Sequence, residues 1–531
     1  MLVDTGVVAT SITAGVAALL ICLLFIVIGV PWIDEPGIQT DEALFASGIY
    51  PPFGPDYPLM VMTYVGALKS CIWAMIFKLW PPSPSSVRIP AVLLGALSIW
   101  WLYDLMLRTL GTRAALAGAA LVATDPIYVL YSRWDHGPVV IQHLCLVGAM
   151  LGLVRFHQQR RAVWLAAGFF ALGLGMWDKA IFAWLLSGLG VAALVVFSRP
   201  VWNAMTCRNL VLATAAFALG ASPLIVYNAR RKLVTFRGNT VWSTNDFAVK
   251  ARLLRLTLEG EVLFGSMVRE SWDGPLREPS SAAAAATVSI ALAAGMPRQT
   301  WMGYLAAAGV LLLPLVWRTP ARNAALFAVI CVAVAWLQMA LVKGAGTGAH
   351  HTILLWPLPT MGTAAVLSAA SRKVRFGLGL FVAVVIAACG ANLLVLGTYY
   401  TNLLRNGGTS SWTDAMYPAF DAIRKMDKEA VCIVDWGFLD TLRMLEQGRT
   451  QLCLTADPVD DEGRRNALFQ ISQPGYVFLT HTDGNESFPG ITARLVEFAA
   501  SRGFRRIHRQ FFADSNGRNT VEVFQFAPAK G

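Results

Sequence analysis

Charge is what this chain has least of. Only 14% of its 531 residues are Asp, Glu, Lys or Arg, while 56% are hydrophobic, a balance that excludes an ordinary soluble domain. Cysteine is sparse as well, eight in all, and none has CxxC spacing. Cys22, Cys71, Cys145, Cys207, Cys331 and Cys389 fall in or beside apolar runs, which excludes a zinc knuckle or a disulfide framework. Cys432 and Cys453 fall on two strand-like stretches and read as buried thiols. The glycine-bearing stretches GTSSW and GNESF lack the strand-then-helix context of a phosphate loop. Nor is there an internal repeat between halves or a charge near the middle of a confident span. Those absences count against the alternative reading, a multi-pass transporter or flippase of a lipid-linked or small anionic substrate.

What the chain does have is long apolar runs. A crossing helix needs about 20 apolar residues. That rule marks Val7–Val30, Val87–Leu107, Ala114–Tyr131, Pro138–Val154, Ala162–Trp177, Ala180–Phe197, Asn209–Tyr227, Trp301–Trp317, Ala324–Val342, Thr352–Ala370 and Phe376–Gly397, about eleven crossings of an α-helical polytopic membrane protein. Leu59–Leu79 carries Lys69 in its middle, where a lysine costs about 3 kcal/mol on insertion, so it is expected to lie in the interface as an amphipathic helix. Ser280–Ala294 is short for a span, and if it crossed, everything after it would invert.

The net charge of +11 sits in short clusters between these runs, so it reads as topology and no nucleic-acid partner is expected. The turns with Arg108 and Arg113, Arg155 to Arg161, Arg199 and Arg208, Arg318 and Arg322, and Arg372 to Arg375 then share one face with the N-terminus, the cytoplasmic one. The opposite, extracytoplasmic face gathers Asp41, Glu42, the turn Ser132–His136, Asp178–Lys179, the loop Asn228–Thr300, Gly344–His351 and the tail. From Ser411 charge rises and apolar runs shorten to strand length, in VCIVDWG, TQLCLT, YVFLT and TVEVFQF, with helical stretches between. Residues 1–398 are therefore a transmembrane domain with a first outer loop, 31–58, and 399–531 a small α/β domain that packs over the site and helps to bind the acceptor. Asn516-Gly517 is the turn of a terminal hairpin.

Each polar candidate has a bland reading beside its chemical one. Asp41 and Glu42 suit the first turn of a helix, where negative charge meets free amides, and equally a general base taking a proton from an acceptor. Asp135 is either a cap paired with Arg133 or a second carboxylate that orients acceptor or base. Lys179 sits at bilayer-surface depth, where its ammonium can hold a lipid phosphate. Arg230 and Arg231, with Lys232, bring positive charge to the face that disfavours it, which points to a phosphate partner. His350 and His351 are adjacent and point in different directions, a poor metal pair, and suit a phosphate contact better.

The Asp-Glu loop, the run PSSVRIPAVLLGALSIWWLYDLMLRTLGTRAALAGAALVATDPIYVLYSRWD with its Arg-x-Pro start, and GLGMWDKA together resemble the C-type glycosyltransferases. The branch is that of the protein O-mannosyltransferases and the bacterial lipid A aminoarabinose transferases. The resemblance implies a polyprenyl-phosphate-linked sugar donor, an extracytoplasmic site, inversion at the anomeric carbon, and no nucleotide sugar. From the residues themselves no cofactor is expected, and a divalent metal is possible but not favoured. The resemblance makes Asp41 the essential loop acid and Glu42 its neighbour, Asp135 the second loop acid, and Lys179 the phosphate-contacting lysine. The chain lacks the aminoarabinose branch's Arg-Tyr motif and the eukaryotic branch's β-trefoil insertion, which leaves a protein, lipid or glycan acceptor open.

Overall fold

The computed structural model describes residues 5–51, 53–54, 56–239, 241–271, 274 and 276–529. Pro52 and Pro55 of the first outer loop, and Thr240, Trp272, Asp273 and Pro275 of the long loop, lie outside these.

The expected crossings fall on helical stretches, several of them broken into two pieces. Among the described residues six helices are long and apolar enough to cross a membrane, or up to nine if each of three bent pairs is one span; Ala162–Asp178 and Met302–Val316 are apolar but shorter. Two of the bends start at a proline. Thr112–Thr124 and Pro126–Arg133 meet at 61°, where Pro126 has no N–H to continue the ladder. Asp125 replaces the lost bonds by accepting from the Ile127 and Tyr128 amides, both at 3.0 Å. A second bend, of 71° between Cys207–Gly220 and Ser222–Arg230, also has a proline at its start, Pro223.

Leu59–Leu79 departs from its expected form. Only Leu68–Leu79 is helical; before it, β1 (Met60–Met62) and β2 (Val65–Gly66) make a small antiparallel hairpin. The hairpin leans on the end of Ala162–Asp178: the Trp177 indole donates to the Leu59 carbonyl at 2.8 Å, and the Ala180 amide to that of Tyr64 at 2.9 Å. Lys69 is 1% exposed within the protein, where Asp135 neutralises it at 2.8 Å. The low-complexity run folds as Ala282–Ala293, a helix of 12 residues packed on Gly377–Asn406.

The tail forms one five-stranded sheet in the order β4-β3-β5-β7-β6. Its strands are β3 (Ala430–Ile433), β4 (Leu452–Leu454), β5 (Tyr476–His481), β6 (Phe504–Ala513) and β7 (Asn519–Pro528). β3 runs parallel to β4 and β5; β7 is antiparallel to β5 and β6, and the Asn516-Gly517 turn joins the last two. The thiol reading of Cys432 and Cys453 is corrected here: the two form a disulfide across β3 and β4. Local spacing rules could not find it, because the parallel register, not proximity in sequence, sets Cys432 opposite Cys453 at a separation of 21 residues.

Candidate active site

The segment Gly29–Gly37, with two prolines, has few backbone bonds of its own, so its carbonyls must find donors elsewhere. Two buried arginines supply them. Arg88, near the start of Pro84–Leu110, donates to the carbonyls of Ile33 (2.8 Å), Pro36 (2.9 Å) and Gly37 (3.2 Å). Its Nε and Nη2 bind the Glu42 carboxylate at 2.7 and 2.9 Å, so all of its donors are used. Arg133 donates to Gly29, Pro31, Trp32 and Glu35 carbonyls and is therefore not Asp135's partner. Gly37 is held against the tail, where a Cβ would lie 2.2 Å from the Thr413 carbonyl oxygen.

This folded loop leads into the helix Thr40–Ser47, capped by the Gln39 side chain, which accepts from the Asp41 amide at 2.7 Å and the Glu42 amide at 3.3 Å. One turn of helix sends the adjacent acids different ways. Glu42 is fully buried in its pair with Arg88. Asp41 is half-buried and makes no ion pair among the described residues. Burial raises its pKa above the ordinary carboxylate value, while His136 and Lys179 pull it back.

Lys179 caps Ala162–Asp178 and is 2% exposed. Its Nζ donates to the Gly137 carbonyl at 3.0 Å, and burial pushes its pKa down to about 8 against the attraction of Asp178, Asp41 and Asp135. Gly137 has φ +108°, and a Cβ there would meet the His350 side chain at 3.3 Å, so glycine lets the two loops touch. His136 stacks on Tyr131 at 5.0 Å and lies 5.3 Å from Trp412 and 5.8 Å from His350. Burial lowers its pKa, against the opposing pull of Asp41, Glu42 and Asp135. The turn carrying His350 and His351 is tied down by His143, whose Nε2 lies 2.8 Å from the Ile353 carbonyl, and by the Thr257–Thr352 hydroxyl pair at 2.6 Å. The two rings lie 4.2 Å apart yet face different partners, His136 and Trp184.

The expected residues thus separate. Asp41, Lys179 and His350 converge with His136. Asp135 lies just beneath, 1% exposed; besides Lys69, its carboxylate accepts from the Val139 and Val140 amides at 2.7 and 3.0 Å. Arg230 and Arg231 stay outside. Both are exposed, and Arg231 pairs with Asp56 at 2.7 Å. A cleft of about 330 Å³ opens beside Lys179, lined by Tyr64, Ala180, Trp184, Phe236, Val342 and His351 among others. Sequence reasoning missed Tyr64, His136 as a member in its own right, and Asp440, which the tail brings to Thr40 at 3.4 Å. Only His136 left a signal, as the neighbour of Asp135.

Residues 68–227 match the family model described as Dolichyl-phosphate-mannose-protein mannosyltransferase. That stretch holds Lys69, Arg88, Asp135, His136 and Lys179, while Asp41 and Glu42 precede it. Two proteins of Bacillus subtilis (strain 168), each provisionally named a mannosyltransferase, are similar in part. YkcB is 28% identical over 148 residues, 27% of this chain and 20% of its own length; YycA is 32% identical over 130 residues, 24% and 18% respectively. The chain spans about a fifth of the length of these curated relatives. Among solved structures, ArnT from Cupriavidus metallidurans bound to undecaprenyl phosphate aligns with a TM-score of 0.52 at 14% identity, covering 98% of both chains. Its apo state aligns with a TM-score of 0.52, covering 97% of this chain and 98% of that one. In fold this chain therefore resembles ArnT along nearly its whole length, and residues 68–227 match the protein mannosyltransferase family model.

Proposed function

We propose that this membrane protein is a glycosyltransferase that moves a sugar from a polyprenyl-phosphate-linked donor to a hydroxyl or amine of a protein, lipid or glycan acceptor. The observation that carries the reading is Asp41: an acid with no ion pair among the described residues, half-buried, facing the desolvated Lys179 beside an apolar cleft. The donor's phosphate is of the kind that ArnT holds in its undecaprenyl phosphate complex. In transfer the bond between the anomeric carbon and the phosphate oxygen breaks, and the leaving group departs with its electron pair as an anion. Lys179, desolvated and cationic below pH 8 or so, is suited to hold it, with His350 at its side. The acceptor's heteroatom bonds to the anomeric carbon from the opposite face, and its proton passes to Asp41, whose raised pKa makes it a better base than an exposed carboxylate. Since Lys179 meets the phosphate charge, the step is proposed to need no metal, and a chelator should leave the rate unchanged.

The site is proposed to face the extracytoplasmic side, with the N-terminus cytoplasmic. Two independent features support that orientation: the clusters of basic turns at the other end of the bundle, and the disulfide in the tail, a bond that persists in oxidising compartments. Comparing glycolipids and glycoproteins by mass spectrometry, in cells carrying the wild-type chain or Asp41→Asn, should reveal a product that disappears in the variant. Identical profiles would sink the reading.

A further inference from the structure

The tail does more than sit near the catalytic loop. Its helix Leu439–Leu445 lies along the helix that carries Asp41, and the contacts between the two are polar and specific. Asp440 accepts from the Thr40 hydroxyl at 3.4 Å and pairs with Arg443 at 2.6 Å. Arg443 donates from Nε and Nη2 to the Ser47 hydroxyl at 3.3 and 3.2 Å. One pair thus grips both ends of Thr40–Ser47. Beyond it, Thr441 donates to the Ile38 carbonyl at 3.4 Å, and Gly448, at φ +70°, packs so close to Pro51 that a Cβ would lie 2.6 Å from its ring.

The segment that makes these contacts is closed by the disulfide. Leaving β3 at Cys432 and returning on β4 at Cys453, it encloses Asp440, Arg443 and Gly448 and lies wholly within the covalent loop. β4 is the edge of the sheet, joined to β3 alone and only three residues long. Without the crosslink, few ladder bonds would fix where the segment ends.

We propose that Cys432–Cys453 is a positioning clamp for the catalytic loop, in which Asp440 and Arg443 hold the helix of Asp41 in register with Lys179. Neither touches substrate; they act through Thr40 and Ser47. The role of Asp41 as base comes from the transfer reading above, whereas the clamp itself is a mechanical claim and can be tested apart from it. A misplacement of about 1 Å in a catalytic group can cost on the order of a hundredfold in rate. Loss of the clamp should therefore lower turnover and leave the donor's phosphate site intact.

The test uses the full chain in lipid nanodiscs, untreated or reduced with a water-soluble phosphine. In that reduction the Sγ–Sγ bond becomes two thiols while phosphine and water give phosphine oxide. Amide exchange over Thr40–Ser47 should rise in the reduced protein and in Arg443→Ala, with no further rise when the two are combined. The product that Asp41→Asn eliminates should fall about tenfold or more in Arg443→Ala cells, on the scale of such a misplacement. Undecaprenyl phosphate, the probe, should stay bound as judged by native mass spectrometry. Ser47→Ala removes only the accepting hydroxyl, and it serves if Arg443→Ala does not accumulate. Unchanged exchange in Thr40–Ser47, or loss of undecaprenyl phosphate together with product, would overturn the clamp. A normal product profile in Asp41→Asn would instead overturn the transfer reading, and the exchange experiment would still decide the clamp.

Discussion

The helix Thr40–Ser47 has two sides, and its adjacent acids meet very different surroundings. On the bundle side Glu42 has no solvent exposure and takes both oxygens' worth of bonding from Arg88. On the other side Asp41 keeps partial exposure and faces Lys179 and His136 without pairing to either. A carboxylate whose bonds are all taken by a buried guanidinium has no capacity left for a proton or a ligand. One that is desolvated but uncommitted can accept a proton when an acceptor arrives. The same division separates the lysines. Lys69 is consumed by Asp135, while Lys179 spends one bond on the Gly137 carbonyl and has donors to spare.

The sharpest way to break this division is to neutralise each acid in turn. Asp41→Asn should lower product formation by about 10²- to 10⁴-fold, the usual contribution of a general base, with the melting temperature unchanged. Glu42→Gln strands the Arg88 charge in a buried site and should destabilise the fold by about 3–5 kcal/mol, seen as a fall in melting temperature and in the amount of folded protein. If the effects exchanged places, with Asp41→Asn unfolding the chain and Glu42→Gln silencing a stable one, the roles assigned to the two sides would be wrong.

The lysines give a smaller and pH-dependent effect. Because burial lowers the pKa of Lys179 to about 8, its ammonium exists below that pH and is lost as pH rises through it. Binding of undecaprenyl phosphate should therefore weaken above pH 8 or so. In Lys179→Arg, whose guanidinium stays charged, that alkaline limb should be absent. A wild-type binding curve flat to pH 9.5 would show that another cation holds the phosphate.

Much of this was legible in the sequence, and what was not has physical reasons. Apolar runs mark helices well, because hydrophobic length is the criterion a bilayer imposes. The same rule could not place Lys69. A mid-span lysine reads as an expense until its partner is known, and Asp135 lies 66 residues away in the chain. Asp41 and Glu42 were legible as a pair, but their division of labour was not, since it depends on which way one helical turn faces Arg88. The disulfide and Asp440 were invisible for a common reason: both arise where the α/β tail folds, one from strand register and one from docking. Neither register nor docking leaves a local pattern in sequence.

The smallest expected effect tests the cations that sequence placed at the site and the fold does not. Arg230 and Arg231 were expected to hold the donor phosphate because positive charge is disfavoured on their face of the membrane. In the structure both are exposed at the end of Ser222–Arg230 and just beyond it, and Arg231, with half its side chain in solvent (51%), pairs with Asp56. Exposed pairs of this kind contribute about 0–1 kcal/mol, and neither arginine lines the cleft beside Lys179. Arg230→Ala with Arg231→Ala should therefore change product formation by no more than about twofold, consistent with so small a pair. The effect should shrink further in high salt, since screening acts on exposed charges first. A large loss of product in this double variant would mean that the long loop closes over the donor during transfer and brings both cations to the phosphate. The division between committed and uncommitted charges would then have to be drawn for that closed arrangement, with Lys179 as one phosphate ligand among several.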